Sequence, residues 1–177
     1  KRIEGLLMEA REKHAVFSTL RENIVEHLFA GELLRRLWQK DILDAEILKS
    51  EFDAGGYDLV LTCRNVTRHI QLKISRKGGA RAEVNISLRL AEKASGCVVW
   101  IVVDDDLKTM NFRWFGDTNG GPLPDIADLK VVRHSKGNAQ GVKHERLGHR
   151  IVPQKRFTPL ESVDELLLCL LGSAILN

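Results

Sequence analysis

Asp58, Gln71 and Lys73 are the residues of this chain whose types and spacing best fit a chemical site. Asp58 opens an apolar stretch just after Gly55-Gly56, and thirteen residues later Gln71 and Lys73 alternate with Ile70, Leu72 and Ile74. A period of two is that of a β-strand, so Gln71 and Lys73 share one face while Ile70, Leu72 and Ile74 pack on the other. A hairpin joining the two stretches would bring Asp58 beside that pair. A carboxylate, an amide oxygen and a backbone carbonyl such as that of Leu72 would then be offered to a hard divalent cation, Mg²⁺ or Mn²⁺. Lys73, next to such an ion, could polarise or deprotonate an attacking water and offset charge developing on a phosphate that the ion polarises. The chemistry expected of this set is phosphodiester hydrolysis.

The elements that must position these residues alternate between helix and strand. Leu20, Ile24, Leu28, Leu34 and Trp38 recur at helical spacing between Ser18 and Gln39, which predicts a helix with these residues as its core stripe and Ser18-Thr19 as caps. Strands are predicted at Ala45–Lys49, Tyr57–Cys63 and His69–Ile74, the last two joined by a polar Arg64–Arg68 hairpin. After the Gly78-Gly79 break a short helix is expected within Asn85–Lys93. The nearly continuous apolar run Cys97–Val103 reads as a strand buried on both faces. The order is αβββαβ. Another strand is expected at Asn111–Phe115, with loops at Asp117–Pro124 and Ser135–Gly148. Near the end, Ser162-Val163-Asp164-Glu165 has capping-box spacing before Leu166–Leu171, and Gly172 is placed to stop that helix. No repeat or low-complexity linker divides the chain, so residues 1–177 are read as one α/β domain with a core of about 18–103.

Gly56-Tyr57-Asp58 followed at hairpin distance by Gln71-Leu72-Lys73, after a helix that contains acids, resembles the G-x-D … (E/Q)-x-K pattern of the PD-(D/E)XK, or restriction-endonuclease-like, nucleases. The resemblance spans about Ser18 to Val103, and Phe157–Gly172 resembles the tail of some members. It implies a central mixed sheet flanked by helices, with a C-terminal helix closing the domain. It also implies a divalent-metal-dependent endonuclease acting on DNA, in which Asp58 and Gln71 hold the ion and Lys73 assists the water. Gln71 replaces the commoner Glu and removes one negative charge from the site. A helical Glu often completes the site in this superfamily. Glu22, Glu26 and Glu32 are the candidates, and rough spacing to the first strand favours Glu26. The alternative is a nucleic-acid-binding protein on a catalytically weak or inactive nuclease fold.

Other polar residues read as structural. His27 falls within the apolar stripe and is expected as a core or rim histidine, Asp53 as turn chemistry, and Asp104-Asp105-Asp106 as a solvated turn. His134, His144 and His149 lack metal-ligand spacing, and phosphate contact suits them better. Trp38, Trp100 and Trp114 are expected in the core, with base stacking open to Trp114. Ser75 has no triad partner or nucleophile elbow.

Net charge is +3 over 177 residues, but its distribution is uneven. Cys63–Lys93 holds eight basic residues against Glu83 and Glu92, and Lys130–Arg156 holds eight more with three histidines and Glu145 as the one acid. Such tracts could follow a nucleic-acid backbone. No apolar run approaches the roughly 18–20 residues of a membrane helix, so no membrane span is expected. Cys63, Cys97 and Cys169, odd in number and in apolar surroundings, fit reduced thiols in the cytoplasm. A homodimer stays open, as does a protein-interaction role in which the closing helix docks a partner.

Overall fold

The computed structural model describes residues 9–172 apart from 53, 119 and 134–144. The elements in chain order are α1 (Ala10–Val16), α2 (Ser18–Gln39), β1 (Ala45–Lys49), β2 (Leu59–Cys63), β3 (Val66–Arg76), β4 (Glu83–Ser87), α3 (Leu88–Ala91), β5 (Gly96–Val103), β6 (Met110–Gly116), β7 (Val131–Arg133), β8 (Glu145–Pro153), β9 (Thr158–Leu160) and α4 (Val163–Leu171). The architecture is mixed α/β. Six strands form a sheet in the order β1-β2-β3-β5-β6-β9, and β4-β8-β7 form a second sheet. Within the larger sheet β3 and β5 run parallel and the other neighbours are antiparallel. No helix among the described residues is long and apolar enough to cross a membrane.

β5 explains why its sequence shows no alternation. All eight of its residues are buried. Val99, Ile101 and Val103 face one core, shared with Ile70, Leu72 and Ile74 of β3 and with α2 and α4. Val98, Trp100 and Val102 face a second core with Val84, Ile86, Leu90, Val152 and Phe157. A strand covered on both sides has no polar face to display. Gly96 at its start is required by crowding, because a Cβ there would stand 2.4 Å from the Leu90 carbonyl oxygen.

Several boundaries differ from those read in the sequence. β2 starts at Leu59, and β3 runs from Val66 to Arg76, because the hairpin turns in only two residues, Arg64 (φ 54°) and Asn65. The stretch expected as one short helix divides into β4 and the single turn α3, whose N-cap Ser87 Oγ accepts the Arg89 N–H at 3.3 Å. Residues 145–148, expected as loop, belong to β8, while residues 135–144 lie outside the described residues.

The clearest correction concerns α2. The apolar spacing predicts Leu20, Ile24, Leu28, Leu34 and Trp38 as the core stripe, yet all five are exposed, Trp38 to 70%. Val25, Phe29, Leu33 and Leu37 are buried instead. The helix is apolar on two opposite faces, and periodicity alone does not say which one meets the sheet. His27 lies with the exposed set rather than in the core.

At the other end, α4 is capped as its sequence suggests. Ser162 Oγ accepts the Glu165 N–H at 3.2 Å, and Glu165 Oε2 in turn accepts the Glu161 N–H at 2.9 Å. Gly172 takes φ 62° at the stop. Leu166, Leu167, Leu170 and Leu171 are buried in the first core, so the apolar face of the closing helix is spent within the fold rather than offered to a partner. Arg68 of β3, 1% exposed, sends Nε to the Leu170 carbonyl at 2.6 Å and Nη2 to those of Cys169 and Asp117. A guanidinium thus satisfies the last carbonyls of α4, where the helix dipole favours positive charge.

Candidate active site

The site forms where β2 leaves β3. Register pairs Leu59 with Ile70, which puts Asp58 opposite Gln71 at the mouth of the hairpin. The Asp58 N–H donates to the Ile70 carbonyl at 2.9 Å and its own carbonyl accepts from Ser50 at 2.8 Å, so its backbone spans both neighbouring strands. Its carboxylate Oδ2 accepts the Leu72 N–H at 2.6 Å. In a strand the N–H and C=O of one residue point to the same side, so the Leu72 carbonyl is also directed into the opening.

Glycine chemistry holds Asp58 there. Gly56 has φ +74°, and a Cβ on it would lie 2.8 Å from Ser87 Cβ and 3.0 Å from the Leu90 nitrogen. Only glycine fits both the left-handed backbone and the close approach of β4–α3. Behind the turn, the Tyr57 ring stands edge-on to His69 with centroids 4.9 Å apart.

Beyond Asp58 the edge of β3 borders a cleft of about 270 Å³ lined by Asp58, Leu72, Lys73, Ile74 and Arg81, with Glu22, Asn23 and Glu26 reaching in from α2. Because the cleft follows an uncovered strand edge, groups from both faces of the sheet reach it. Asp58, Lys73, Leu72 and Glu26, all singled out by sequence, therefore meet in one place, and Glu22 joins them. Glu32 does not. It forms a two-point pair with Arg35, at 2.6 and 2.8 Å.

Gln71 differs from its neighbours. It is 4% exposed and does not line the cleft, and its Oε1 is buried without a hydrogen-bond partner among the described residues. Alternation places it on the face of β3 that carries Lys73 and Ser75, whose Oγ accepts the Trp100 indole N–H at 2.9 Å. An orphaned buried carbonyl oxygen costs on the order of 1–3 kcal/mol, so the position suits a cation or a donor that would complete it.

The electrostatics of the cleft are mixed. Lys49 Nζ lies 2.6 Å from Glu26 Oε1, which neutralises part of the charge Glu26 could give an ion. Arg81 donates to the Ile74 carbonyl at 3.0 Å, covering one more acceptor of the open edge and adding positive charge. Sequence counted Arg81 only within a basic tract and passed over Lys49 and Asn23. The Gly78-Gly79 turn that brings Arg81 back to its own strand was the available signal. Among the described residues no three His, Cys, Asp or Glu side chains converge to hold a metal ion. A divalent ion in this cleft would therefore draw on Asp58 and the neutral Leu72 carbonyl, and Gln71 Oε1 would join them only by turning toward the cleft. Such oxygen donors fit Mg²⁺ or Mn²⁺ better than a thiophilic metal.

The basic tracts are less available than their composition implies. Arg68 is buried, Arg76 pairs through both carboxylate oxygens with Asp105, and Arg89 donates to the Ala54 carbonyl at 2.8 Å. In the second tract Arg150 donates to the Ala127 and Leu147 carbonyls, and His149 sits in β8 opposite Ser87. Asp53, His134 and His144 lie outside the described residues. Asp104, Asp105 and Asp106 form a turn held by Thr109, Arg76 and Lys108, in keeping with a structural role. Trp114 is buried in the first core and is not presented for base stacking. Cys63, Cys97 and Cys169 form no disulfide, and burial pushes the Cys97 thiol up to about 12.

No family model matches the chain, and no curated protein matches it.

Proposed function

We propose that the protein is a divalent-cation-dependent endonuclease of the PD-(D/E)XK type that hydrolyses phosphodiester bonds in DNA. The observation that carries this reading is the meeting of Asp58, Lys73 and the Leu72 backbone edge at the fork between β2 and β3, beneath two glutamates of α2. In this reading Asp58 and the Leu72 carbonyl would hold Mg²⁺ or Mn²⁺, with Glu26 completing the set and Gln71 Oε1 joining it once its side chain turns toward the cleft. A divalent ion bound there would supply polarisation of the scissile phosphate. Lys73 orients and activates the attacking water, and Arg81 meets the phosphate charge that builds up as the bond forms.

A second reading is a nucleic-acid-binding protein on the same fold with weak or no cleavage. It is favoured by the neutral Gln71 and by the pairing of Glu26 with Lys49, which together leave less negative charge for an ion. A cleavage assay decides between them. Plasmid, linear duplex and single-stranded DNA are incubated with Mg²⁺ or Mn²⁺, with wild type, Asp58→Asn, Lys73→Ala and an EDTA control. Metal-dependent nicking lost in both variants supports the nuclease. Intact DNA under every condition, with retained binding by gel shift, leaves the binding protein.

A further inference from the structure

The exposed face of α2 has a regularity that packing among the described residues does not use. Leu20, Ile24, His27, Gly31, Leu34 and Trp38 follow one another at spacings of four, three, four, three and four, the seam pattern of helices that pack along their length. The six form a single stripe, since Leu20 and Trp38 are eighteen residues and five full turns apart. Their spacing reads the same in both directions about the level of Phe29. An antiparallel copy of the helix would therefore set Leu20 against Trp38, Ile24 against Leu34, and His27 against Gly31.

The side chains match under that operation. Trp38 is the most exposed of the stripe at 70%. At the other end, Phe17, Leu20 and Ile24 line, with Asp105, Asp106 and Leu107, a cleft of about 130 Å³, in the size range of cavities that take a benzene-like ring. Gly31 has nothing within 4 Å of where a Cβ would stand, although glycine weakens a helix interior. That vacancy faces the larger His27 in the antiparallel arrangement. Adding the neighbouring Val16, Phe17 and Leu28, the exposed apolar surface is on the order of several hundred Å² per chain, near the roughly 800 Å² that each partner gives to a standard interface. Among the described residues nothing covers it.

We propose that α2 is the self-association surface of this protein. Two copies pack α2 against α2 antiparallel about a two-fold axis at the level of Phe29, with Trp38 of each seated in the Phe17–Leu20–Ile24 cleft of the other. The contact is isologous, as a two-fold dimer requires. It leaves the face of α2 that carries Val25, Phe29, Leu33 and Leu37 on the sheet of its own chain.

Light scattering after gel filtration, over a range of concentrations, tests the association. A dimer is expected for the wild-type chain, and a monomer with unchanged circular dichroism for Ile24→Glu/Leu34→Glu. Gly31→Gln improves helix propensity but fills the vacancy, so it should weaken dimerisation by about tenfold or more. Register is tested by oxidation: a mixture of Ile24→Cys and Leu34→Cys proteins should cross-link, whereas Ile24→Cys alone, with its two sulfurs about 15 Å apart along the axis, should not. A monomer at all concentrations, a dimer unaffected by Ile24→Glu/Leu34→Glu and Gly31→Gln, or cross-linking of Ile24→Cys alone would overturn the proposal.

Discussion

The carboxylate of Asp58 accepts the backbone N–H of Leu72 at 2.6 Å, so a side chain takes the ladder position that β2 gives up. The residue that opens the fork also seals it. Asp58→Ala should therefore lose about 1–3 kcal/mol of stability, because the Leu72 N–H is left without its acceptor. Asp58→Asn keeps an oxygen there and should stay within about 1 kcal/mol of wild type. Urea denaturation measures both. If the proposed nuclease reading holds, both variants lose cleavage although only one loses stability, and an Asp58→Asn protein that cleaves normally removes Asp58 from the metal site.

Gln71 carries a buried oxygen with no hydrogen-bond partner among the described residues. With EDTA present, Gln71→Met should be neutral or stabilising by up to about 1–2 kcal/mol, since it removes an unsatisfied acceptor at similar volume. Gln71→Glu should melt lower than wild type in EDTA and regain more of its melting temperature than wild type when Mg²⁺ or Mn²⁺ is added. Calorimetry with and without the ion reads both effects. No ion-dependent recovery would mean that position 71 is not a ligand.

Asp164 ties α4 to α2 through Arg36 and Lys40, whose Nζ stands 3.1 Å away. The hydrogen bond from Arg36 is the main cause holding its carboxyl down to about 2, with Lys40 adding to it. A carboxyl lowered in the folded state stabilises above its ordinary value near 4, and that stabilisation is lost as pH falls toward 2. Partial exposure limits it to about 1 kcal/mol or less. Asp164→Asn should reduce stability by that amount at pH 7 and converge with wild type near pH 2, as measured by denaturant midpoints across pH.

Arg68 is buried against the last carbonyls of α4. Arg68→Met removes the cation together with its three carbonyl contacts and should cost about 3 kcal/mol or more. Arg68→Lys should recover little, because one ammonium lacks the planar fork that reaches both Leu170 and Asp117. Thermal unfolding monitored by circular dichroism gives the comparison.

The strands of the site were legible because alternation is a local property. Ile70, Leu72 and Ile74 had to share a face, and they do. The two-residue hairpin was harder to read, since nothing in Arg64-Asn65 marks a tight turn as Asn-Gly would. α2 misled for a different reason. Its Leu20-to-Trp38 stripe is as apolar as the buried one, and the side that meets a sheet is decided by the sheet, which lies elsewhere in the chain. β4 was missed because Glu83–Ser87 takes its partner from β8, more than sixty residues later. Arg81 and Lys49 enter the site through long side chains, whose reach is set by folding rather than by strand or helix period.

The clasp of Arg68 on α4 also sets an order of assembly. Its hydrogen bond to Leu170 joins residues separated by 102 positions. A ribosome adding about 5–20 residues per second makes the second partner some 5–20 s after the first. Until α4 is made, Arg68 lacks its Leu170 and Cys169 acceptors. A nascent chain that has not yet reached α4 therefore carries the fork without the clasp that Leu170 and Cys169 give Arg68.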